Sequence, residues 1–233
     1  GMALEGKSAS DILNYFFPGT TLQSYPDLGN IRVNLAHQST YLTVTGATSL
    51  NKSDGTPIAT IPSGATVKFS AVSKVISPTI SMLKQRPLVI PATASWNLTW
   101  ESGTVVTVNN GGTTTKLAYG SINLKNVANK IELTATMRLD DQYIYGISEV
   151  SSAWPTAALQ TQAIASRTYG LARAGSIRKE CDCNIYNSTV DQNFVGYSKE
   201  IENIYGIKWK EAVNRTFIDE NSALVVTLSG KPI

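Results

Sequence analysis

Between residues 31 and 139, apolar and polar positions alternate in short runs: IRVNL, TYLTVTG, ATVKFSAV, ASWNLTW, GTVVTV, KLAYGSINL and KIELTATMRL. A period of two marks a strand with one buried face. The runs are separated by Gly, Asn, Asp and Pro, which favour turns. The cluster Asn109-Asn110-Gly111-Gly112 predicts a hairpin, because the favoured two-residue turn needs successive residues with positive φ. Thr and Ser enrichment in these runs fits strands whose second face is solvated. The opening is different. Residues 8–17 predict a short helix capped by Ser8 or Ser10, with Ile12, Leu13, Phe16 and Phe17 as its apolar positions and Pro18-Gly19 as its stop. A turn-rich connection through Pro26 and Gly29 follows.

The pattern then changes character. The aromatic run at 143–147 reads as strand-like, and a short polar loop follows it. Pro155 suits the first turn of a helix, and residues 155–174 are rich in Ala and long side chains, ending at Gly175. Ala158, Gln162, Ala165, Thr168 (or Tyr169) and Ala172 share one face of that helix. Small residues on several of its sides predict close packing against a sheet. Residues 184–197 look irregular to strand-like, a helix is expected around 209–216, and SALVVTL makes a last strand. The expected fold class is α+β: a β-rich N-terminal half of antiparallel sheets, followed by a helix-containing α+β region. The expected segments are 1–27 (helical), 28–114 (β-rich) and 115–233. No internal repeat is present.

A chain of 233 residues can bury a sizeable core as one large domain or two joined ones. With 42% hydrophobic and 16% charged residues it has a globular composition with a polar, mostly uncharged surface. A formal net charge of +3 without a dense Lys/Arg run gives no basis for nucleic-acid binding. No stretch approaches the ~20 apolar residues of a membrane helix, and none reads as a signal peptide.

The loop after the aromatic run carries one acid, Glu149, which on composition alone is a solvated carboxylate. Gln162 and Arg167 lie on the following helix, where they either contact a ligand or tie the helix to a sheet. Tyr143, Tyr145 and Tyr169 are either core aromatics or stacking surfaces. Cys181 and Cys183 are the only cysteines and His37 the only histidine, too few and too dispersed for the four-ligand metal site that zinc prefers. The cysteines are structural thiols or a tight disulfide. Four N-x-[ST] matches, at Asn51, Asn97, Asn187 and Asn214, fit chance occurrence in Thr- and Ser-rich strands.

The stretch YIYGISEVSSAWPTAALQTQAIASRTYGLA at 143–172 resembles the core motif of the stage II sporulation protein D / amidase enhancer LytB family. That motif is a YLYGVV run, a glutamate, a Trp-Pro pair and AL-x-x-QA-x-AARTYAL. Tyr143, Tyr145, Gly146, Glu149, Trp154, Pro155, Ala158, Leu159, Gln162, Ala163, Ala165, Arg167, Thr168 and Tyr169 match it in order. Gln160 stands where the family often has Lys. Residues 186–197 resemble the family's Y-D-T-x-x-DQ-x-Y-x-G, with Asp191, Gln192 and Gly196 as matches.

The resemblance implies a bacterial cell-wall protein, exported and extracytoplasmic, acting on the glycan strands of peptidoglycan without a cofactor. It implies Glu149 as catalytic acid, with Trp154, Gln162, Arg167, Tyr145 and Gln192 as substrate-binding candidates. An acid must be protonated to serve a leaving oxygen, so an apolar wall is needed beside it, and Trp154 is the candidate. The positive end of the helix starting at Pro155 acts in the opposite sense. Ordinary glycoside hydrolysis uses two carboxylates. The nearest others are Asp140 and Asp141, on a segment that need not face the cleft. A lone acid agrees with lytic transglycosylase chemistry, in which the sugar's own C6 hydroxyl attacks. The alternative is a non-catalytic wall-binding module that enhances an N-acetylmuramoyl-L-alanine amidase. Relatives carry a GHG-x-GMSQ-x-GA motif before, and a Y-x-S-x-SGG-x-T segment after, the regions that resemble this chain's two ends. The expectation is therefore a trimmed piece whose signal or anchor lies outside it.

Overall fold

A computed structural model describes residues 1–233 and resolves them into two compact units interleaved along the chain. One combines Gly1–Ile31, Arg138–Ser176 and Ser188–Ile233; the other combines Arg32–Met137 and Ile177–Asn187. The fold is α+β and β-rich, with antiparallel sheets and a parallel pairing of Ile185–Tyr186 with Asn30–Ser39. Residues 115–137, which the sequence reading grouped with the later part of the chain, belong to the sheets of the second unit.

The second unit is built from two sheets. Its seven-stranded sheet runs Ile185–Tyr186, Asn30–Ser39, Lys130–Arg138, Ser121–Val127, Ser95–Thr99, Ser49–Asn51 and Pro57–Thr60. The six-stranded sheet runs Thr113–Leu117, Val106–Asn110, Tyr41–Thr45, Thr66–Val72, Val75–Ser81 and Leu88–Val89. Alternation decides the inner faces, as the period-two reading requires. Trp96, Leu98, Ile122, Leu124, Ile131 and Leu133 are buried from one sheet, and Leu42, Val44, Val67, Phe69 and Ile76 from the other. The two sheets are tied where the Trp96 indole donates to the Ile76 carbonyl at 2.9 Å. The predicted hairpin is present: Asn110 pairs with Thr113, and Gly111 and Gly112 have φ of 58° and 91°.

The first unit packs three helices with a four-stranded sheet. The sheet order is Thr21–Pro26, Ser222–Leu228 and Phe217–Asp219, with Lys231–Pro232 also paired to Ser222–Leu228. Helix α1 (Ala9–Phe16) starts at Ser8, which forms a reciprocal capping box with Asp11. Helix α2 (Thr156–Ala174) starts at Pro155, and helix α3 spans Asn203–Asn214. Leu13 from α1, Ile164 from α2 and Val226 from the central strand form a shared core with Leu22, Ala165 and Leu224 around it. Burying side chains of this size contributes roughly 1.5–3 kcal/mol each.

Four expectations are corrected. The aromatic run is not a strand: Leu139–Tyr143 is a π-helical turn, and the chain stays helical to Tyr145. Residues 143–147 are all buried, and a strand with one open face cannot bury consecutive residues. KLAYGSINL is two strands, broken at 118–120, where a Cβ on Gly120 would lie 2.0 Å from the Thr136 carbonyl oxygen. The connection expected through Pro26 contains a strand, Thr21–Pro26, whose partners lie some 200 residues away, Thr21 opposite Thr227. Helix α3 also begins six residues earlier than 209, at Asn203.

Candidate functional site

The segment around Glu149 is shaped by a close approach of two loops. A Cβ on Gly146 would meet the Phe194 ring at 2.3 Å, so only glycine admits that aromatic. Phe194 pairs with Ile147 in an isolated bridge, and the Val195 amide donates to the Gly146 carbonyl at 2.8 Å. The Ser148 amide donates to the Asn193 carbonyl at 2.8 Å, and the Asn193 side-chain amide donates to the Ser148 carbonyl at 3.0 Å. Glu149 is next in line, and its Oε1 accepts the backbone N–H of Asn193. The carboxylate is exposed and its Oε2 has no protein partner. One oxygen is thus fixed and the other is presented outward.

Beneath this loop lies a buried polar layer. Tyr143 is fully buried, stacks on Phe194 with ring centroids 5.6 Å apart, and donates its hydroxyl to Gln192 Oε1 at 2.7 Å. Burial pushes the Tyr143 phenol well above its ordinary pKa, and the negative charges of Asp191 and Glu149 add to that. Beside it, Tyr169 on α2 donates to Asp191 at 2.7 Å, and Arg173 both reaches Asp191 at 3.4 Å and stacks its guanidinium 3.6 Å from the Tyr169 ring centroid. The consecutive residues Asp191, Gln192 and Asn193 therefore connect Tyr169, Tyr143 and Glu149.

The other candidates lie elsewhere in the unit. Arg167 is fully buried; its Nε donates to the Asp140 carbonyl, and its Nη1 to Thr216 Oγ1 and the Leu224 carbonyl, at 3.0–3.1 Å. Burial lowers its pKa to about 10, and the acids acting on it are Asp140 and Asp141. It joins α2 to the π-helical turn and the sheet. Tyr145 donates to Asn214 at 2.6 Å and lies under Lys210. Gln162 donates to Ser166, one turn along α2, at 2.9 Å. Asp140 and Asp141 are engaged by Arg138 on the π-helical turn, and burial together with Asp141 raises the Asp140 pKa.

Trp154 is half exposed and lines an apolar groove of about 720 Å³ with Ile12, Tyr15, Phe16, Pro155 and Ala158, which does not include Glu149. Trp154 is part of a surface shared with α1. Its carbonyl is held by Lys208 Nζ at 2.6 Å.

Sequence reasoning missed Asn193, Phe194 and Arg173 as parts of this arrangement. The site use of Asn193 is largely through its backbone N–H, which every residue but proline carries, so no side-chain signal marks it. The family glycine at 146 was the available clue to a close neighbour. In the other unit, Cys181 and Cys183 form a disulfide.

Residues 127–218 match the family model described as Stage II sporulation protein. No curated protein and no solved structure matches the chain. The matched stretch contains the Glu149 loop, all of α2, and the 191–194 segment that holds the carboxylate.

Proposed function

Because residues 127–218 belong to the stage II sporulation protein (SpoIID/LytB) family, a family of sporulation- and cell-wall-related proteins, we propose that the chain cleaves peptidoglycan glycan strands as a lytic transglycosylase with Glu149 as its single acid/base. The observation that carries this reading is the carboxylate's posture. One oxygen is anchored by the Asn193 amide, and the other is exposed and unpartnered. Such an arrangement orients a carboxyl without consuming it.

In the proposed reaction, protonated Glu149 gives its proton to the glycosidic oxygen as the bond from C1 breaks. The resulting carboxylate then takes the proton of the muramyl C6 hydroxyl, whose oxygen bonds to C1. The products are a 1,6-anhydro end and a free 4-hydroxyl, and Glu149 ends protonated as it began. No second carboxylate and no water is consumed, which suits a site where Asp140 and Asp141 are engaged by Arg138. The protein would work outside the cytoplasm, secreted or at the cell wall.

A second reading, a wall-binding module that enhances an N-acetylmuramoyl-L-alanine amidase, draws on the half-exposed Trp154 and the apolar groove it shares with Tyr15 and Phe16. Exposed aromatics rimming a groove favour a binding surface. The two readings separate by product. Glycan strands, with and without stem peptides, are incubated with the protein and examined by mass spectrometry for anhydro-muramyl ends. Those ends, lost in Glu149→Gln, support catalysis; intact strands with wild-type protein overturn it.

A further inference from the structure

The two-sheet unit carries a polar pocket that shares no residue with the Glu149 site. It has a volume of about 510 Å³ and is lined by Arg32, Ser53, Ser95, Asn123, Lys125, Thr136 and Asp182, together with Trp96 and Leu124. That size is ordinary for a small-molecule site.

Its charge is unbalanced. Asp182 accepts from Arg32 Nη2 at 2.7 Å and from Lys125 Nζ at 3.1 Å. Two cations thus share one carboxylate. Asp182 is held in place by its neighbours: it sits between the disulfide-bonded Cys181 and Cys183, with φ of 52°. The Arg32 guanidinium has no acceptor other than Asp182, and its Nε is buried without a partner. The Lys125 side chain is about half exposed and has no other acceptor. Asp182 neutralises one of the two charges, and a positive charge is left facing the pocket.

Two of the lining residues, Asn123 and Thr136, belong to a pre-ordered band of amides and hydroxyls. Across the outer face of the seven-stranded sheet, Asn51 donates to Asn97, Asn97 to Asn123, and Asn123 to Thr136, over 2.8–3.5 Å. Such a ladder fixes side-chain orientations before any ligand arrives. Ser53 and Ser95 add hydroxyls with no side-chain hydrogen-bond partner in the protein. The lining offers hydrogen bonds for hydroxyl or acetamido groups and a cationic pair for one anion.

We propose that this pocket binds a saccharide bearing a single carboxylate. The carboxylate would accept from the Arg32 guanidinium and Lys125 Nζ, and the ring hydroxyls and amide would meet Asn123, Thr136 and Ser95. This assignment is independent of the chemistry assigned to Glu149.

Isotope-labelled full chain is titrated with N-acetylmuramic acid and, separately, with N-acetylglucosamine, the same ring without the lactyl carboxylate, while backbone amide shifts are followed by NMR. Saturable shifts at Arg32, Ser95, Asn123 and Lys125 are expected with the acidic sugar and none with the neutral one at equal concentration. Lys125→Gln, at an exposed position that leaves the fold intact, weakens the apparent affinity about tenfold, the loss of one charge-assisted bond. Arg32→Gln weakens it at least as much. Equal response to both sugars, no response at the pocket, or an affinity unmoved by Lys125→Gln overturns the proposal. Glu149→Gln retains the pocket shifts, so a failed transglycosylase assay and a failed titration are separate results.

Discussion

Glu149 Oε1 accepts the backbone N–H of Asn193, so the carboxylate is held by the peptide chain of a neighbouring loop and not by a side chain. A main-chain donor is fixed by the loop's own pairing and survives substitution of the residue that supplies it. In Asn193→Ala the bond to Glu149 persists, and only the 3.0 Å bond from the side chain to the Ser148 carbonyl is lost. That bond is worth about 1 kcal/mol. Formation of anhydro ends should fall no more than about tenfold in Asn193→Ala, against a loss of about 10²-fold or more in Glu149→Gln. Initial rates on purified glycan strands measure both. Equal losses in the two variants would mean that the side chain, not the amide, positions the acid.

Gly146→Ala should destabilise the helical unit without touching the acid. The new methyl would sit 2.3 Å from the Phe194 ring, which itself stacks on Tyr143. Displacing a buried ring costs about 1–3 kcal/mol. Urea denaturation monitored by circular dichroism checks this, and a change within about 0.5 kcal/mol would show that Phe194 moves freely.

Arg167→Met tests a structural role against a functional one. Removal of the guanidinium strips acceptors at Asp140, Thr216 and Leu224 of their buried donor. The expected cost is about 1–3 kcal/mol for each buried acceptor left unsatisfied. Folded variant, once corrected for the fraction unfolded, should retain its pH profile of cleavage, because Arg167 is held by groups other than Glu149. A shifted profile at unchanged stability would reverse the assignment.

Asp140 gives the stability a definite dependence on pH. Its pKa is raised in the folded protein by burial and by Asp141, and its Oδ1 is buried without a hydrogen-bond partner. The folded state therefore holds this proton more tightly than the unfolded state does. The stabilising contribution is fully present below the ordinary aspartate pKa and is lost as pH rises through the raised value. Relative to Asp140→Asn, the wild type should lose stability as the pH rises above the ordinary aspartate value. Denaturation midpoints of both proteins below and above that value measure the difference; a constant difference would contradict the buried carboxylate.

Local patterns reached far into this fold where the physics is local. The helix after Ser8 (one of the two caps offered), the Asn-Gly hairpin, the Pro155 start of α2 and the strand Ser222–Leu228 are all readable because neighbours in sequence decide them. The strand Thr21–Pro26 was hidden because its stabilising partner is Ser222–Leu228, at the other end of the chain. The π-helical turn was hidden because β-favouring aromatics were overruled by burial on every side.

The same division runs through the candidate site. The ordered motif from Tyr143 to Tyr169 marks the family segment and Glu149 within it from residue identity alone. Which motif residues stand beside Glu149 was decided by tertiary structure. Tyr143 and Gln192 lie in the layer under its loop, whereas Trp154 faces a groove with α1 and Arg167 is enclosed between α2, the π-helical turn and the sheet. Identity in sequence records which groups are present. Direction and company depend on helix phase and on loops brought together from 40 or more residues apart, as Asn193 is to Glu149. Those are set by the packing of the whole unit, where no local pattern reaches.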